Sequence, residues 1–276
     1  MLIRAVLIAL LYALSAWAGD DALARRVGEL GKTAPPGFTV LAAPPFIVLG
    51  DGGPDAVAQG RDTVRWAAGM LKKDYFEKDP GGIIEVWLFK DAASYEKHCR
   101  ELFRTTPTTP FGFYSAENNA LLMNFSTGGG TLVHEMVHPF MAANFAACPS
   151  WFNEGLASLY EQSASRGGHI VGRTNWRLPG LQKAIREGTL PPLAKLLATT
   201  NAEFYADARA TNYAQARYLC YYLQERDLLH RFYREFRRDA GKDPTGIATL
   251  RAVLGEKDIA AFETRWREYV MGLAYP

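Results

Sequence analysis

His134-Glu135-Met136-Val137-His138, followed by Trp151-Phe152-Asn153-Glu154-Gly155-Leu156-Ala157, decides what this chain is expected to build. On a helix, residues four apart share a face, with Cβ atoms roughly 5–6 Å apart. The imidazoles of His134 and His138 can therefore both reach one zinc ion. Glu135, beside the first histidine, cannot easily join them as a ligand but can reach a water bound to the metal. That combination points to zinc-assisted hydrolysis.

The flanking residues support a helix. Gly128-Gly129-Gly130 reads as a loop and Thr131 as an N-cap. Leu132, Val133, Met136, Val137, Phe140 and Met141 surround the histidines with apolar positions. Two imidazoles and a carboxylate on a largely buried helix are costly without partners, and a metal ion supplies one. A catalytic zinc takes three protein ligands and keeps a fourth position open. Glu154 is the expected third ligand, with one Zn2+ per chain. Pro149-Ser150 starts a new helix with Ser150 as its N-cap, and residues 139–149 are enough chain to fold it back beside the first. The competing reading of Glu154 is an ordinary first-turn acid favoured by the helix dipole. Pro139 removes a helical N–H and biases His138 away from the α region, so the helix is expected to kink or end soon after His138.

HEMVH followed by WFNEGLASLYE resembles the gluzincin metallopeptidases, the thermolysin-like superfamily also called peptidase MA-like. The resemblance covers roughly residues 112–161. It implies His134, His138 and Glu154 as zinc ligands and Glu135 as general base. It implies a zincin-like α+β fold: an N-terminal mixed sheet with helices, the zinc helix at the junction and a C-terminal all-helical lobe. The strand just before the zinc helix is then an edge strand that holds an extended peptide by backbone pairing. Residues 120–124 are the candidate, a plain structural strand the alternative. The resemblance also implies an oxyanion donor from the helical lobe. Tyr213, on the first turn of a helix opened by Thr211, is the first choice and Tyr205 the second; either could be a core aromatic. Where the superfamily places an aspartate one turn past the third ligand, this chain has Ser158, with Glu161 further on. Ser158, Glu161 or a backbone carbonyl could accept from a zinc-bound histidine's other nitrogen.

Residues 1–18 read as a secretory signal: Arg4, an apolar run over 5–14, and Ala16-Trp17-Ala18 as the cleavage site. A secreted or periplasmic protein is expected, with no membrane association after cleavage. The 48% apolar content is ordinary for a globular chain. A net charge of +2 with no basic run makes nucleic acid a poor partner. Cys99, Cys148 and Cys220 lack zinc-ligand spacing, and buried apolar roles compete evenly with pairing.

The remaining pattern suggests a lead-in over 19–43 with a short helix near 23–30, then an α/β subdomain over 44–148. Strands are expected at 46–49 and 83–89, helices at 55–76 and 91–103, and a hairpin at 111–125 turning through Glu117-Asn118-Asn119. A helical subdomain follows over 149–276, with helices at 151–163, 181–187, 191–198, 212–226, 227–239, 245–254 and 256–272. His98 and His230 read as exposed helix positions, and His169 as a surface loop residue. Asn175-Trp176-Arg177-Leu178-Pro179-Gly180 reads as a loop lining substrate subsites, as a structural lid or as a stacking pair of Trp176 and Arg177. The functional expectation is an exported zinc metallopeptidase acting on a peptide or protein. A catalytically silent binding domain of that fold, or a zinc amidase cutting a non-peptide cell-wall bond, are the alternatives.

Overall fold

The computed structural model describes residues 21–107, 109–207 and 210–275, so the expected signal segment lies outside the described residues. Among them, no helix is long and apolar enough to cross a membrane. The fold is α+β, with a mixed sheet and many helices in two compact units. One unit comprises residues 21–66 and Pro80–Gly129, the other Ala67–Asp79 and 130–275. The division at Gly129 groups the HExxH segment with the helical unit.

The first unit is built on five strands: β1 (Thr39–Ala43), β2 (Phe46–Gly50), β3 (Ile84–Phe89), β4 (Gly112–Ser115) and β5 (Ala120–Asn124). Their order is β1-β2-β3-β5-β4, with β2, β3 and β5 parallel and the two outer strands antiparallel. β2 and β5 are buried along their whole length, as parallel strands covered on both faces must be. Period-two alternation divides β3 between two layers. Trp87 and Phe89 pack with Leu23 and Leu30 of α1 (residues 21–33) and with Tyr95 and Cys99 of α3 (Ala92–Phe103). Leu88 faces α2 (Pro54–Asp74) so closely that a Cβ on Gly60 would stand 2.1 Å from its Cδ1. Asp91 caps α3 by accepting from the Ser94 N–H at 2.8 Å.

Several expectations change here. The lead-in contains a strand, β1, and its helix extends from residue 21 to 33. β5 is not an edge strand, because β4 pairs along its outer side from Gly112–Met123 to Ser115–Ala120. Its backbone groups are used inside the sheet. His98 is buried, with its ring stacked on Phe89 at 5.5 Å.

The second unit holds α4 (Gly129–Asn144, from residue 130), α5 (Ser150–Leu159), a hairpin of β6 (Ser163–Arg166) and β7 (His169–Gly172), and α6 (Leu178–Arg186). Then follow α7 (Leu193–Leu197), α8 (Asn201–Tyr205), α9 (Thr211–Gln224), α10 (Leu229–Asp239), α11 (Ile247–Leu254) and α12 (Ile259–Met271). The expected helix over 151–163 stops at Leu159, and a hairpin occupies part of what was read as all helix. Aromatic rings fill the core: Phe76 stacks on Phe140 at 5.3 Å, and Trp151, Phe152, Phe232, Tyr233 and Phe236 pack as one cluster.

α4 runs through Pro139 to Asn144 instead of ending after His138. Pro139 has no N–H to donate to the preceding turn, but the buried apolar face holds the helix together. Its end is fixed by Asn144, whose Oδ1 accepts the N–H groups of Glu77 and Lys78 at 3.0 and 2.9 Å. Thr131 is inside the first turn and is no cap. Pro149 takes the cap position of α5, and Ser150 Oγ instead donates to Asn201 Oδ1 at 2.7 Å.

Candidate metal centre

Two close approaches locate the polar residues. Where α5 crosses α9, a Cβ on Gly155 would stand 3.0 Å from the Ala216 carbonyl oxygen and the Cys220 sulfur. Only glycine lets α5 lie this deep, which sets the depth of its neighbour Glu154. At the start of α4, a Cβ on Gly130 would stand 2.1 Å from the Glu161 carbonyl oxygen. The chain leaving α5 therefore lies directly against the first turn of α4. Arg217, wholly buried, ties down the end of α5. Its Nε donates to Ser158 O at 2.9 Å and its Nη2 to Leu159 O at 3.3 Å and to Arg173 O. The Ser158 and Leu159 carbonyls belong to the last turn of α5, where intrahelical donors run out. Burial lowers the Arg217 pKa.

The site follows from these supports. His134, Glu135 and His138 bring ligand atoms within 4.8 Å of one another and could hold a metal ion. The imidazoles stand 5.0 Å apart at 76°. Glu154 Oε2 lies 3.2 Å from His134 Nε2 and 3.9 Å from His138 Nε2. Glu135 Oε2 lies 3.9 Å from His138 Nε2. Ligand atoms on a tetrahedral zinc, with bonds of about 2.0–2.2 Å, stand about 3.3–3.6 Å apart. From Glu154 Oε2, the 3.2 Å approach to His134 Nε2 is at the short end of that spacing and the 3.9 Å approach to His138 Nε2 just beyond it. Glu154 Oε2 is also buried without a hydrogen bond. A buried carboxylate oxygen in that state is destabilising unless a cation faces it, so the donor set fits a divalent ion.

Each candidate ligand is held from behind. His138 Nδ1 is 3.1 Å from Asn153 Oδ1, an acceptor that leaves Nε2 with its lone pair. Tyr205 donates to Glu154 Oε1 at 2.8 Å, leaving Oε2 to face the imidazoles. Glu161 Oε1 lies 3.3 Å from His134 Nδ1, near enough for an ion pair though without hydrogen-bond geometry. Of the three acceptors open to the sequence reading, Glu161 is the one brought there. Its carboxylate takes Nε and Nη2 of Arg177 at 2.9 and 2.7 Å and Nδ2 of Asn175 at 3.0 Å. The Asn175–Gly180 stretch thus supports the site, and its Arg177 stacks over Trp176 and Tyr213 at 5.6 and 5.3 Å. Tyr213 packs on Phe204 at 5.1 Å and near Tyr205 at 6.5 Å.

Electrostatics demand positive charge. Burial raises the Glu154 carboxyl, but His134, His138 and Tyr205 outweigh it and lower the pKa to about 2. Burial likewise opposes ionisation of Glu161, and Arg177 with His134 brings it to about 2. Burial would depress His134, yet Glu154, Glu161 and Glu135 raise it to about 10. The carboxylates thus draw a proton onto His134, and an ion bound to that ring would displace it. Burial raises both Tyr205 and Tyr213, which keeps both phenols as donors.

The sequence had no signal for Arg177 acting through Glu161, because that contact depends on the turn after α5. Asn153 was readable only as a neighbour of Glu154. The cysteines are free, with Cys99 and Cys220 buried. No curated protein matches the chain. Residues 129–245, which include every residue of this centre, are similar to a family described as "Protein of unknown function (DUF1570)".

Proposed function

We propose that this chain is a zinc-dependent metallopeptidase with a zincin-like fold and a gluzincin ligand set of His134, His138 and Glu154. The observation that carries this reading is the buried, unbonded Glu154 Oε2 standing 3.2 and 3.9 Å from the two Nε2 atoms. A mixed sheet preceding the HExxH helix, with helices following it, supports the zincin-like reading. Zinc in that position supplies a Lewis acid for the substrate carbonyl and lowers the pKa of its water to about 7. The Glu135 carboxylate takes the attacking water's proton and passes it to the leaving nitrogen as the C–N bond breaks. Its place on α4, beside one histidine and 3.9 Å from the other's Nε2, suits that role.

Tyr213 donates to the developing oxyanion. Tyr205, the second choice from sequence, has its hydroxyl hydrogen directed to Glu154, which favours Tyr213. Arg177 also lines a cavity of ≈ 1190 Å³ with Trp176, Leu181, Leu196 and Thr211. That cavity would receive side chains of a peptide or protein substrate met outside the cytoplasm.

The test is zinc content and hydrolysis of casein for the mature chain beside Glu135→Gln. One zinc per chain, with turnover reduced by about 10²-fold or more in the variant and the metal retained, supports the proposal. Absence of zinc from both proteins would sink it. A parallel panel of cell-wall amides separates peptide from non-peptide substrates.

A further inference from the structure

Away from this centre, the second unit contains another pair of imidazoles. His169 on β7 and His230 in the first turn of α10 have ring centroids 6.1 Å apart. Two imidazoles on one tetrahedral zinc, with Zn–N bonds of about 2.0–2.1 Å, have centroids about 5.2 Å apart. The observed separation is about 1 Å wider, a gap that a turn of the half-exposed His169 ring can close.

The support behind His169 is that of a ligand. Its Nδ1 is 2.6 Å from Asp74 Oδ1, and the Asp74 side chain is only 1% exposed. Asp74 Oδ2 also accepts the Ile170 N–H at 2.8 Å. With a carboxylate oxygen as its partner, Nδ1 is engaged as the donor, which leaves Nε2 as the ring's ligand atom. The His169 side chain is itself 51% exposed, so that atom can be reached from solution. The turn that carries it is anchored by Lys73 Nζ donating to Gly168 O at 2.6 Å.

His230 is suited to binding in its neutral form. It sits at a helix N-terminus, where positive charge is disfavoured. Burial lowers its pKa, with Asp74 and Asp227 opposing and His169 and Arg234 adding to the effect. Its ring packs against Tyr75 at 4.8 Å, and the Tyr75 hydroxyl is fixed by Tyr160 at 2.7 Å.

We propose that His169 and His230 form a second, weaker metal site that takes a divalent ion with affinity for imidazole, such as Zn2+, and that Asp74 orients one of its ligands. Waters complete the coordination. The ion ties together the end of α2, the β6–β7 hairpin and α10. No residue is shared with the HExxH centre, so the proposal does not rest on peptidase activity.

The experiment is zinc titration of the metal-free full chain by calorimetry and equilibrium dialysis. Two classes of site are expected, and His169→Asn and His230→Asn should each remove the weaker one. Asp74→Asn should weaken that class by about 10–100-fold. If the HExxH centre binds nothing, the wild type shows a single class, and it is the one these variants lose. The two readings therefore fail separately. Equal stoichiometry and affinity in the wild type and the His169→Asn/His230→Asn double variant would overturn the proposal. A second measurement needs no variant: substoichiometric Cu2+ should broaden the ring proton signals of His169 and His230. Signals that stay sharp while others broaden would equally overturn it.

Discussion

At the scale of the residue, Glu161 carries the most consequence, because it joins His134 to Arg177. Replacing it by Gln keeps the size and removes the charge. Metal affinity should fall by about 10–100-fold, read by competition with a chromophoric chelator. A pH effect accompanies it. The Glu161 carboxyl is held at about 2 in the folded chain, against about 4.3 when unfolded. A depressed carboxyl contributes stability above its unfolded value and loses it as pH falls towards the folded one. Melting temperature of the metal-free chain should therefore drop between about pH 5 and pH 2, and Glu161→Gln should flatten that slope. An unchanged slope would show that Glu161 is not the titrating group. Legibility at this scale followed spacing. His134, Glu135, His138 and Glu154 could be read because helical periodicity and a short connection place them. Glu161 remained one of three choices, since its position depends on how the chain turns after Leu159.

At the scale of the element, two residues of the motif region are under steric control. Gly155→Ala places a methyl 3.0 Å from the Ala216 carbonyl oxygen. Moving α5 away from α9 should cost about 1–3 kcal/mol, seen as a lower denaturation midpoint. Metal affinity should fall too, because Glu154 moves with the helix. Pro139→Ala should act oppositely. Proline inside a helix costs about 3 kcal/mol relative to alanine, while losing two buried methylenes costs about 1.6 kcal/mol at about 0.8 each. The helix term wins, so a gain of about 1 kcal/mol is expected in chemical denaturation. A loss instead would mean that the Pro139 ring matters more for packing than its missing N–H does for the helix. The helix expected to kink or end after His138 does not end there, because burial of Phe140 and Met141 outweighs one lost hydrogen bond. The β6–β7 hairpin was missed because Ser163–Arg166 is short and polar. Gly167-Gly168, with φ of 61° and 78°, is nevertheless a recognisable two-residue hairpin turn.

At the scale of the whole molecule, the α+β class and most helices were readable from hydrophobic periodicity. Strand order was not, since β4 and β5 have similar local patterns and only their pairing decides which is the edge. The buried carboxylates make metal occupancy a matter of global stability. An ion held at 100 times its dissociation constant adds about 2.7 kcal/mol. Stripping the chain with a chelator should lower its melting temperature, and zinc should restore it. A melting temperature indifferent to chelation would argue that nothing resides at the HExxH centre.

Ala67–Asp79 belongs to the later unit although the first unit's residues Pro80–Gly129 intervene. Its Phe76 rests on Phe140 and Tyr233, and its Asp74 on His169. Tyr233 leaves the ribosome some 160 residues after Phe76, about 8–30 s later at 5–20 residues per second. Until Phe140 and Tyr160 follow, Tyr75 and Phe76 have none of their other native ring partners, and the sides that meet Tyr233 stay uncovered to the end of that interval. The nascent chain must therefore be kept from sticking to its neighbours until nearly its full length has emerged.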